Sequence, residues 1–462
     1  MKKKIFYIII LLITLLSFFL RLKDYDIVPP TSEAFDEVHY AWGGATWIKE
    51  GTPRSWSNFD SYKNPEFIER YGIRWRIVKP LVEKPPLYFL LSGLTVLFFQ
   101  PTNIFDISHS TIRILPLLLS IPTIFLTILV AKKVFNNQIA IIAGIIYATT
   151  PTTVLANRMS LTENLLTPFA LLALLILLSK SAKRFTPAAA IAVISTLAIL
   201  TKQIGVSIAI ASSVIFYQRR LFKNILTILC FSTMAFLIYF AIGYFYDWKL
   251  FLSLQNDVRV GHTLSGLPES IAAIFRFPTI GPKNHPFVDG TILLGLILLF
   301  SSPLWLMKDN NKNPSKQILL IFPFAYLLLL AVGESSQTAF TFFGWYLYPL
   351  FPFLIILLAK FFWDFWKKPE VFTHILIILI LGSSAVRFFF LLFDRSYQYL
   401  WQYTFILLIA VSVLIFAANG KYAKVTMFSI FILFITINLL ADFNLKEIYQ
   451  TVAINDKSLL GF

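Results

Sequence analysis

The sequence KKKIFYIIILLITLLSFFLRLK, residues 2–23, decides the fold class of this chain. Lysines precede an apolar run, residues 5–20, that approaches the roughly 20 residues needed to cross a bilayer. Arg21 and Lys23 follow the run, where a signal peptide would have small residues at its cleavage site. The segment therefore predicts an uncleaved first transmembrane helix whose lysine-bearing N-terminus lies in the cytoplasm.

Similar apolar runs recur along nearly the whole chain, and the composition agrees with a membrane protein. Charged residues make up 14% of the sequence, against about 25% in an average soluble protein. The predicted fold class is an all-α polytopic membrane protein surrounded by membrane lipids. The net charge of +16 does not indicate nucleic acid as a partner, because Lys and Arg cluster between apolar runs, where positive charge faces the cytoplasm. The single cysteine, Cys230, excludes an intrachain disulfide.

The basic clusters also predict the direction of each run. Placing every cluster in the cytoplasm gives about 13 transmembrane helices. The run at residues 87–99 is too short to cross, and a cytoplasmic Lys132 and Lys133 require it to stay outside. It is expected to be one of several interfacial helices in the first extracytoplasmic loop. The other predicted spans cover residues 111–130, 138–155, 165–178, 188–200, 205–217, 225–244, 290–307, 317–332, 345–361, 372–392, 401–417 and 424–440.

This orientation places many polar side chains on the outer face of the membrane. Charges at the ends of spans are costly and usually mark function, although single ones also reach to the interface for solvation. Because so many converge on one side, the set predicts a functional site there. Its members are Asp36, Glu37, His39, Glu83, Lys84, Arg158, Glu163, Lys202, His262 and His285.

Five short motifs contain most of these residues in chain order. They are FDEVHY at residues 35–40, EKPPLY at 83–88, NRMSLTE at 157–163, TK at 201–202 and YLYPLFP at 346–352. Their order and spacing resemble those of GT-C superfamily membrane glycosyltransferases, in particular the protein O-mannosyltransferase and aminoarabinose (lipid A) transferase families. Glu163 stands where many relatives carry aspartate, and no charged residue precedes Tyr346 directly.

The resemblance covers residues 1–355 and implies a domain organisation and a donor. It implies one glycosyltransferase module with a catalytic outer loop at residues 21–110 and a second outer loop at 245–289. Residues 356–462 would be C-terminal transmembrane helices. The donor would be a polyprenyl-phosphate-linked sugar. The residues implied in the site are the acids Asp36, Glu37 and Glu163 as catalytic groups and His39, Tyr40, Tyr88 and Tyr346 as substrate-binding groups.

Transfer from a polyprenyl phosphate needs a base for the acceptor hydroxyl and cations for the departing phosphate. Asp36 is the predicted base, because a carboxylate in a partly apolar cavity holds a raised pKa. A single displacement of this kind inverts the anomeric centre. The cations predicted to neutralise the phosphate are Lys84, Lys202, Arg74, Arg76 and Arg158.

The sequence does not require a cofactor, although it contains candidate ligands for a divalent metal. Glu83, His262 and His285 could hold zinc, manganese or magnesium, because carboxylate and imidazole suit such ions. The alternative is that both histidines are ordinary loop residues. His39 either orients the neighbouring acids, binds sugar, or is an ordinary residue of the interface.

The predicted function is therefore a multi-pass cell-membrane glycosyltransferase with its active site on the extracytoplasmic face. It would transfer a hexosyl or pentosyl group to a hydroxyl of a lipid, glycan or protein acceptor. One alternative is a transporter or flippase, but this needs glycine-rich helices and charges at mid-membrane, and only 18 of 462 residues are glycine. The other is a polysaccharide polymerase or ligase for lipid-linked glycans, which would keep its largest outer loop late in the chain.

Overall fold

The computed structural model describes residues 3–30, 33–99, 101–179, 185–261, 267–276, 289–306, 314–333, 344–392, 398–418 and 420–449. The helices are α1 (Lys3–Leu22), α2 (Asp36–Glu50), α3 (Leu87–Phe98), α4 (His109–Ile112), α5 (Ile114–Val134), α6 (Asn137–Thr149), α7 (Pro151–Ala156), α8 (Glu163–Leu177), α9 (Phe185–Thr201), α10 (Val206–Gln218), α11 (Phe222–Gly261), α12 (Leu267–Arg276), α13 (Gly290–Trp305), α14 (Pro314–Gly333), α15 (Phe351–Lys367), α16 (Val371–Leu392), α17 (Gln398–Ala418) and α18 (Gly420–Phe443). Short 3-10 helices lie at Gln203–Gly205 and Gly344–Leu350, and three strands are β1 (Ser55–Trp56), β2 (Glu66–Arg70) and β3 (Ile73–Val78).

Six helical segments in the described ranges are long and apolar enough to cross a bilayer. They are Lys3–Leu22, His109–Val134, Phe222–Val258, Pro314–Val332, Gly344–Lys367 and Tyr422–Phe443. Further apolar helices are shorter, such as Asn137–Thr149 and Glu163–Leu177. The polytopic helical architecture is confirmed, whereas the number of 13 spans stays a prediction.

The first helix, α1, shows the burial pattern of a helix at the lipid boundary. Phe6, Ile10 and Leu20 are buried against the protein, while Leu12 and Leu15 on other faces are more than half exposed. Such large exposed apolar side chains are unfavourable in water but stable in lipid. The predicted first transmembrane helix thus has one face toward the bundle and one toward the bilayer.

The first outer loop contains a small antiparallel sheet that the sequence analysis missed. Its strand order is β1-β3-β2, and the pairing of Arg70 with Ile73 leaves Tyr71 and Gly72 as a two-residue turn. Both turn residues have positive φ, 54° and 72°, as a type I′ hairpin requires. The prediction of helices alone in this loop was therefore incomplete. The turn glycine between two alternating segments was the available signal.

Helix α2 crosses α3 in direct backbone contact beneath this sheet. A Cβ atom added to Gly44 would lie 1.7 Å from the carbonyl oxygen of Phe89, and one added to Gly93 would lie 2.2 Å from the carbonyl carbon of Gly44. Only glycine fits at either position. Because α2 begins at Asp36 and α3 begins within the EKPPLY motif, this crossing fixes the FDEVHY and EKPPLY motifs relative to each other.

Helix α11 is broken at Asp247, and it contacts the first outer loop. Its 40 residues do not form one straight helix, because Gln255 after the break donates to the hydroxyl of Tyr239 before it at 2.8 Å. A break at Asp247, with φ −167° and ψ 102°, separates its outer part. The hydroxyl of Tyr246 donates to the carbonyl of Gly51 at 2.6 Å, and Asp257 accepts from the backbone of Ser61 at 3.4 Å.

We predict that α3 does not cross the membrane. Its 12 residues extend only about 18 Å. In a chain lacking Cys230, cysteines at Asn64 and Asn103, on either side of α3, should both react with a membrane-impermeant thiol reagent applied from outside. Labelling of the Asn103 position only after the cytoplasm is opened would contradict this topology.

Candidate active site

The first ion pair of the site joins Asp36, the first residue of α2, to Lys84 of the EKPPLY motif. The Nζ of Lys84 lies 2.8 Å from Oδ1 of Asp36, and their side chains are 32% and 25% exposed. The same Nζ lies 5.0 Å from the ring centre of Tyr40. Burial would raise the pKa of Asp36, but the charge of Lys84 holds it below its usual value. The raised pKa expected from the sequence is therefore wrong.

Glu37, the neighbour of Asp36, has both carboxylate oxygens engaged inside the protein. Two nitrogens of Arg113 donate to its carboxylate at 3.0 and 2.6 Å, and the backbone N–H of Ser160 donates to it at 2.8 Å. Its side chain is fully buried. Successive residues of a helix point about 100° apart, so α2 presents Asp36 to the open side and Glu37 to the interior. Glu37 thereby anchors α2 to the helical bundle.

The second ion pair joins Lys202 to Glu163. Lys202 Nζ lies 2.6 Å from Glu163 Oε1, and the hydroxyl of Thr162 donates to the other oxygen at 2.9 Å. Glu163, the first residue of α8, is 1% exposed, while Lys202 is 25% exposed. The ammonium of Lys202 also lies 4.3 Å from the ring centre of Tyr346. The hairpin lysine is thus held between a buried carboxylate and an aromatic ring.

The two ion pairs face one site, although their residues are far apart in sequence. Burial raises the pKa of the Tyr40 hydroxyl, and that hydroxyl also experiences the charges of Lys84, Asp36, Lys202 and Glu163. The ring of Tyr88 packs edge-on against Tyr40 at 5.1 Å, and its hydroxyl lies 3.2 Å from that of Ser160. Tyr40, Tyr88 and Tyr346 therefore form aromatic walls around two partly exposed ammonium groups.

The three arginines predicted as phosphate ligands have other contacts. Arg158 is fully buried and donates to the backbone carbonyls of Arg21 and Leu20. Arg76 donates to carbonyls of the first outer loop, and the guanidinium of Arg74 lies 4.6 Å from the ring centre of Phe67. The structure does not bring these three into contact with the two ion pairs. Their positions indicate structural roles and do not support the predicted role in phosphate binding.

His39 and Glu83 form a second buried pair beneath Lys84. The Nδ1 of His39 lies 2.8 Å from the carbonyl of Trp56, and its Nε2 lies 3.5 Å from Glu83 Oε1. Ser57 donates to Glu83 Oε2 at 2.7 Å. Burial lowers the pKa of His39 to about 3 and raises the pKa of Glu83 to about 7. His39 is therefore uncharged at neutral pH and orients the loop.

Within the described ranges, Glu83 is not part of a cluster of metal ligands. Zinc takes at least three protein ligands, and the described residues contain no group of three or more His, Cys, Asp or Glu side chains suited to an ion. Glu83 instead faces His39 and Ser57. The other predicted ligands, His262 and His285, lie outside the described residues.

Comparison with known proteins supports the resemblance given by the motifs. Residues 83–245 match the family model of dolichyl-phosphate-mannose-protein mannosyltransferases. The structure superposes with a TM-score of 0.59 on ArnT from Cupriavidus metallidurans bound to undecaprenyl phosphate, at 13% identity, covering 99% of this chain and 79% of ArnT. Its fold is the GT-C fold. The predicted resemblance to GT-C glycosyltransferases is confirmed.

Two further solved structures resemble this chain to different extents. ArnT in the apo state gives a TM-score of 0.55 at 15% identity, covering 96% of this chain and 76% of ArnT. The oligosaccharyltransferase of Archaeoglobus fulgidus in the apo form gives 0.48 at 12% identity, covering 84% of this chain and 55% of the other. No curated protein sequence matches the chain significantly.

The GT-C fold of this chain is held at the site by buried polar residues to which the sequence analysis gave no role. Arg21 donates to Asn157 at 2.9 Å, and Asn157 donates to Asn164 at 2.9 Å. Asn164 in turn donates to the carbonyl of Ala156, the last residue of α7, and to that of Met159 in the turn before α8, at 2.7 Å each. This chain of bonds shapes the turn that offers the N–H of Ser160 to Glu37. The available signal was a charged residue, Arg21, at the end of an apolar span.

Proposed function

We propose that this protein is a membrane glycosyltransferase that moves a sugar from a polyprenyl-phosphate donor to a hydroxyl group of a lipid, glycan or protein acceptor. The observation that carries the proposal is the pair of partly exposed ammonium groups, Lys84 and Lys202, beside a half-buried carboxylate, Asp36. Two such cations suit a phosphate, and the carboxylate suits an acceptor hydroxyl. The GT-C fold, shared with ArnT bound to undecaprenyl phosphate, agrees with this assignment.

In the proposed reaction Asp36 accepts the proton of the acceptor hydroxyl as the hydroxyl oxygen attacks the anomeric carbon. The bond from that carbon to the phosphate oxygen breaks, and its electron pair stays on the phosphate. Lys84 and Lys202 stabilise the negative charge that develops there. A single displacement inverts the configuration of the sugar carbon. Phosphate, acceptor and base then occupy one site between the aromatic walls.

The remaining acids have supporting roles in this mechanism. Glu163 is buried, and its two oxygens are engaged by Lys202 and Thr162, so it positions the lysine. Glu37 holds α2 through Arg113. Tyr40 and Tyr346 lie against the two ammonium groups and are placed to contact the sugar or the lipid phosphate. Tyr88 is fully buried and supports the ring of Tyr40. Since the basic clusters face the cytoplasm, the site opens on the extracytoplasmic side.

The experiment that tests the function is a transfer assay with purified protein. Labelled hexosyl and pentosyl polyprenyl phosphates are supplied with membrane extracts as acceptor, and the release of polyprenyl phosphate and of labelled product is measured. At least one donor should be consumed by the wild-type protein and not by Asp36→Asn. Equal consumption by both proteins with every donor would refute the proposal.

We predict that Lys84→Ala and Lys202→Ala each weaken binding of the donor phosphate. Loss of one charge-assisted hydrogen bond costs about 1.5–3 kcal/mol, so the donor concentration for half-maximal rate should rise by a factor of about ten to a hundred. Lys49→Ala is the matched control, because Lys49 is an exposed lysine near the far end of α2. Unchanged donor dependence in both site variants would reject the phosphate assignment.

A further inference from the structure

We infer that the donor phosphate competes with Asp36 for the ammonium group of Lys84, so that donor binding releases the base for reaction. The inference rests on the proposed function and concerns the regulation of the same site. In the structure, the carboxylate that must accept a proton is bound to a cation at 2.8 Å. When a donor binds, the ammonium of Lys84 would pair with the phosphate, and Asp36 would be available to accept the proton of the acceptor hydroxyl.

The geometry of the two ion pairs makes this exchange specific to Lys84. Asp36 and Lys84 are both partly exposed, so an incoming anion reaches the ammonium without unfolding of the loop. Glu163 is 1% exposed and would lose its cation in a buried environment if Lys202 left, which is strongly unfavourable. Lys202 is therefore expected to remain paired with Glu163 while it also contacts the phosphate. The Asp36–Lys84 pair can therefore exchange with the phosphate, whereas the Glu163–Lys202 pair stays intact.

In the described part of the chain, Asp36 is the carboxylate within ion-pair distance of Lys84. Glu83 is adjacent in sequence, but its oxygens face His39 and Ser57. The carboxylate of Glu37 is paired with Arg113. An ammonium that leaves Asp36 thus moves from one anion to another, the phosphate, and the number of paired charges is conserved.

Transfer of Lys84 from Asp36 to the phosphate makes Asp36 a stronger base, as proton abstraction requires. The charge of Lys84 opposes the effect of burial and holds the pKa of Asp36 below its usual value. When the phosphate takes over Lys84, burial dominates and the carboxylate becomes a stronger base. After transfer, Asp36 loses its proton to solvent and again competes for Lys84, which favours release of the polyprenyl phosphate product.

The test is a double-mutant cycle on the binding of undecaprenyl phosphate to the purified full-length protein in detergent. Asp36→Asn removes the competitor, so the dissociation constant should fall by about tenfold. Lys84→Ala should raise the dissociation constant. In the Lys84→Ala background, Asp36→Asn should give no gain, because the competed cation is absent. Asp36→Ser serves as a second variant, with melting temperatures confirming that each protein is folded.

Two results would overturn the inference. One is an unchanged or higher dissociation constant in both Asp36 variants. The other is the same gain with and without Lys84, which would show general repulsion between Asp36 and the phosphate. If either occurs while the wild-type protein still binds the lipid and transfers sugar, the proposed function stands. A wild-type protein that does not bind undecaprenyl phosphate or transfer sugar would defeat both.

Discussion

Asp36→Asn is expected to lower the turnover number of sugar transfer by about 10²–10⁴, the usual contribution of a positioned general base. Asparagine keeps the shape of the side chain but lacks the charge that pairs with Lys84 and cannot accept the proton of the acceptor. The affinity for polyprenyl phosphate should not decrease, so the loss should appear in the turnover number. Single-turnover kinetics at saturating donor would measure it.

Asp60→Asn is the matched control for this substitution. Asp60 is an exposed acid in the same outer loop, and its replacement changes the charge of the loop by the same amount. Turnover in Asp60→Asn should stay within about twofold of wild type, because exposed charges have weak effects at a distance. Near-normal turnover in Asp36→Asn would exclude Asp36 as the base.

Glu37→Gln and Arg113→Leu are expected to destabilise the folded protein by about 3–5 kcal/mol each, because each leaves one member of a buried ion pair without its partner. The damage should appear as a lower melting temperature and a lower yield of folded protein. Turnover per folded molecule of Glu37→Gln should exceed that of Asp36→Asn. The two neighbouring acids would then be separated experimentally into a base and an anchor.

A partly exposed ion pair at the C-terminal end of α2 supplies the control for Glu37. Glu50 lies 3.4 Å from Arg54 at the other end of α2, and both side chains are partly exposed. Glu50→Gln should change stability by less than about 1 kcal/mol, as is usual for surface pairs. A larger turnover loss in folded Glu37→Gln than in Asp36→Asn would instead transfer the role of base to Glu37.

The sequence predicted the class of the fold because the bilayer imposes strict rules on it. Apolar runs and basic clusters report directly on spans and orientation. The sheet of the first outer loop was missed because β2 and β3 are short and partly exposed, with charged residues such as Glu69 and Arg74 among apolar ones. The number of spans also remained a prediction, since many of the apolar helices are shorter than a bilayer is thick.

The residue types of the candidate site were predictable, but their partners were not. Asp36, Lys84, Glu163 and Lys202 stood out as charges at the outer ends of apolar runs. Nothing local in the sequence shows that Arg113 holds Glu37 across 76 residues. Likewise, an arginine in a motif can contact either a phosphate or the backbone, and only the fold shows that Arg158 donates to carbonyl groups.

The glycine crossing of α2 and α3 makes the catalytic spacing sensitive to variation at sites that take no part in chemistry. Asp36 lies at the start of one of these helices and Lys84 just before the other. Any methyl group at Gly44 or Gly93 must push the two backbones apart and with them the base and its cation. In a random mutagenesis screen, these two positions should therefore yield inactive clones as often as the charged residues, and second-site suppressors should map to the facing helix.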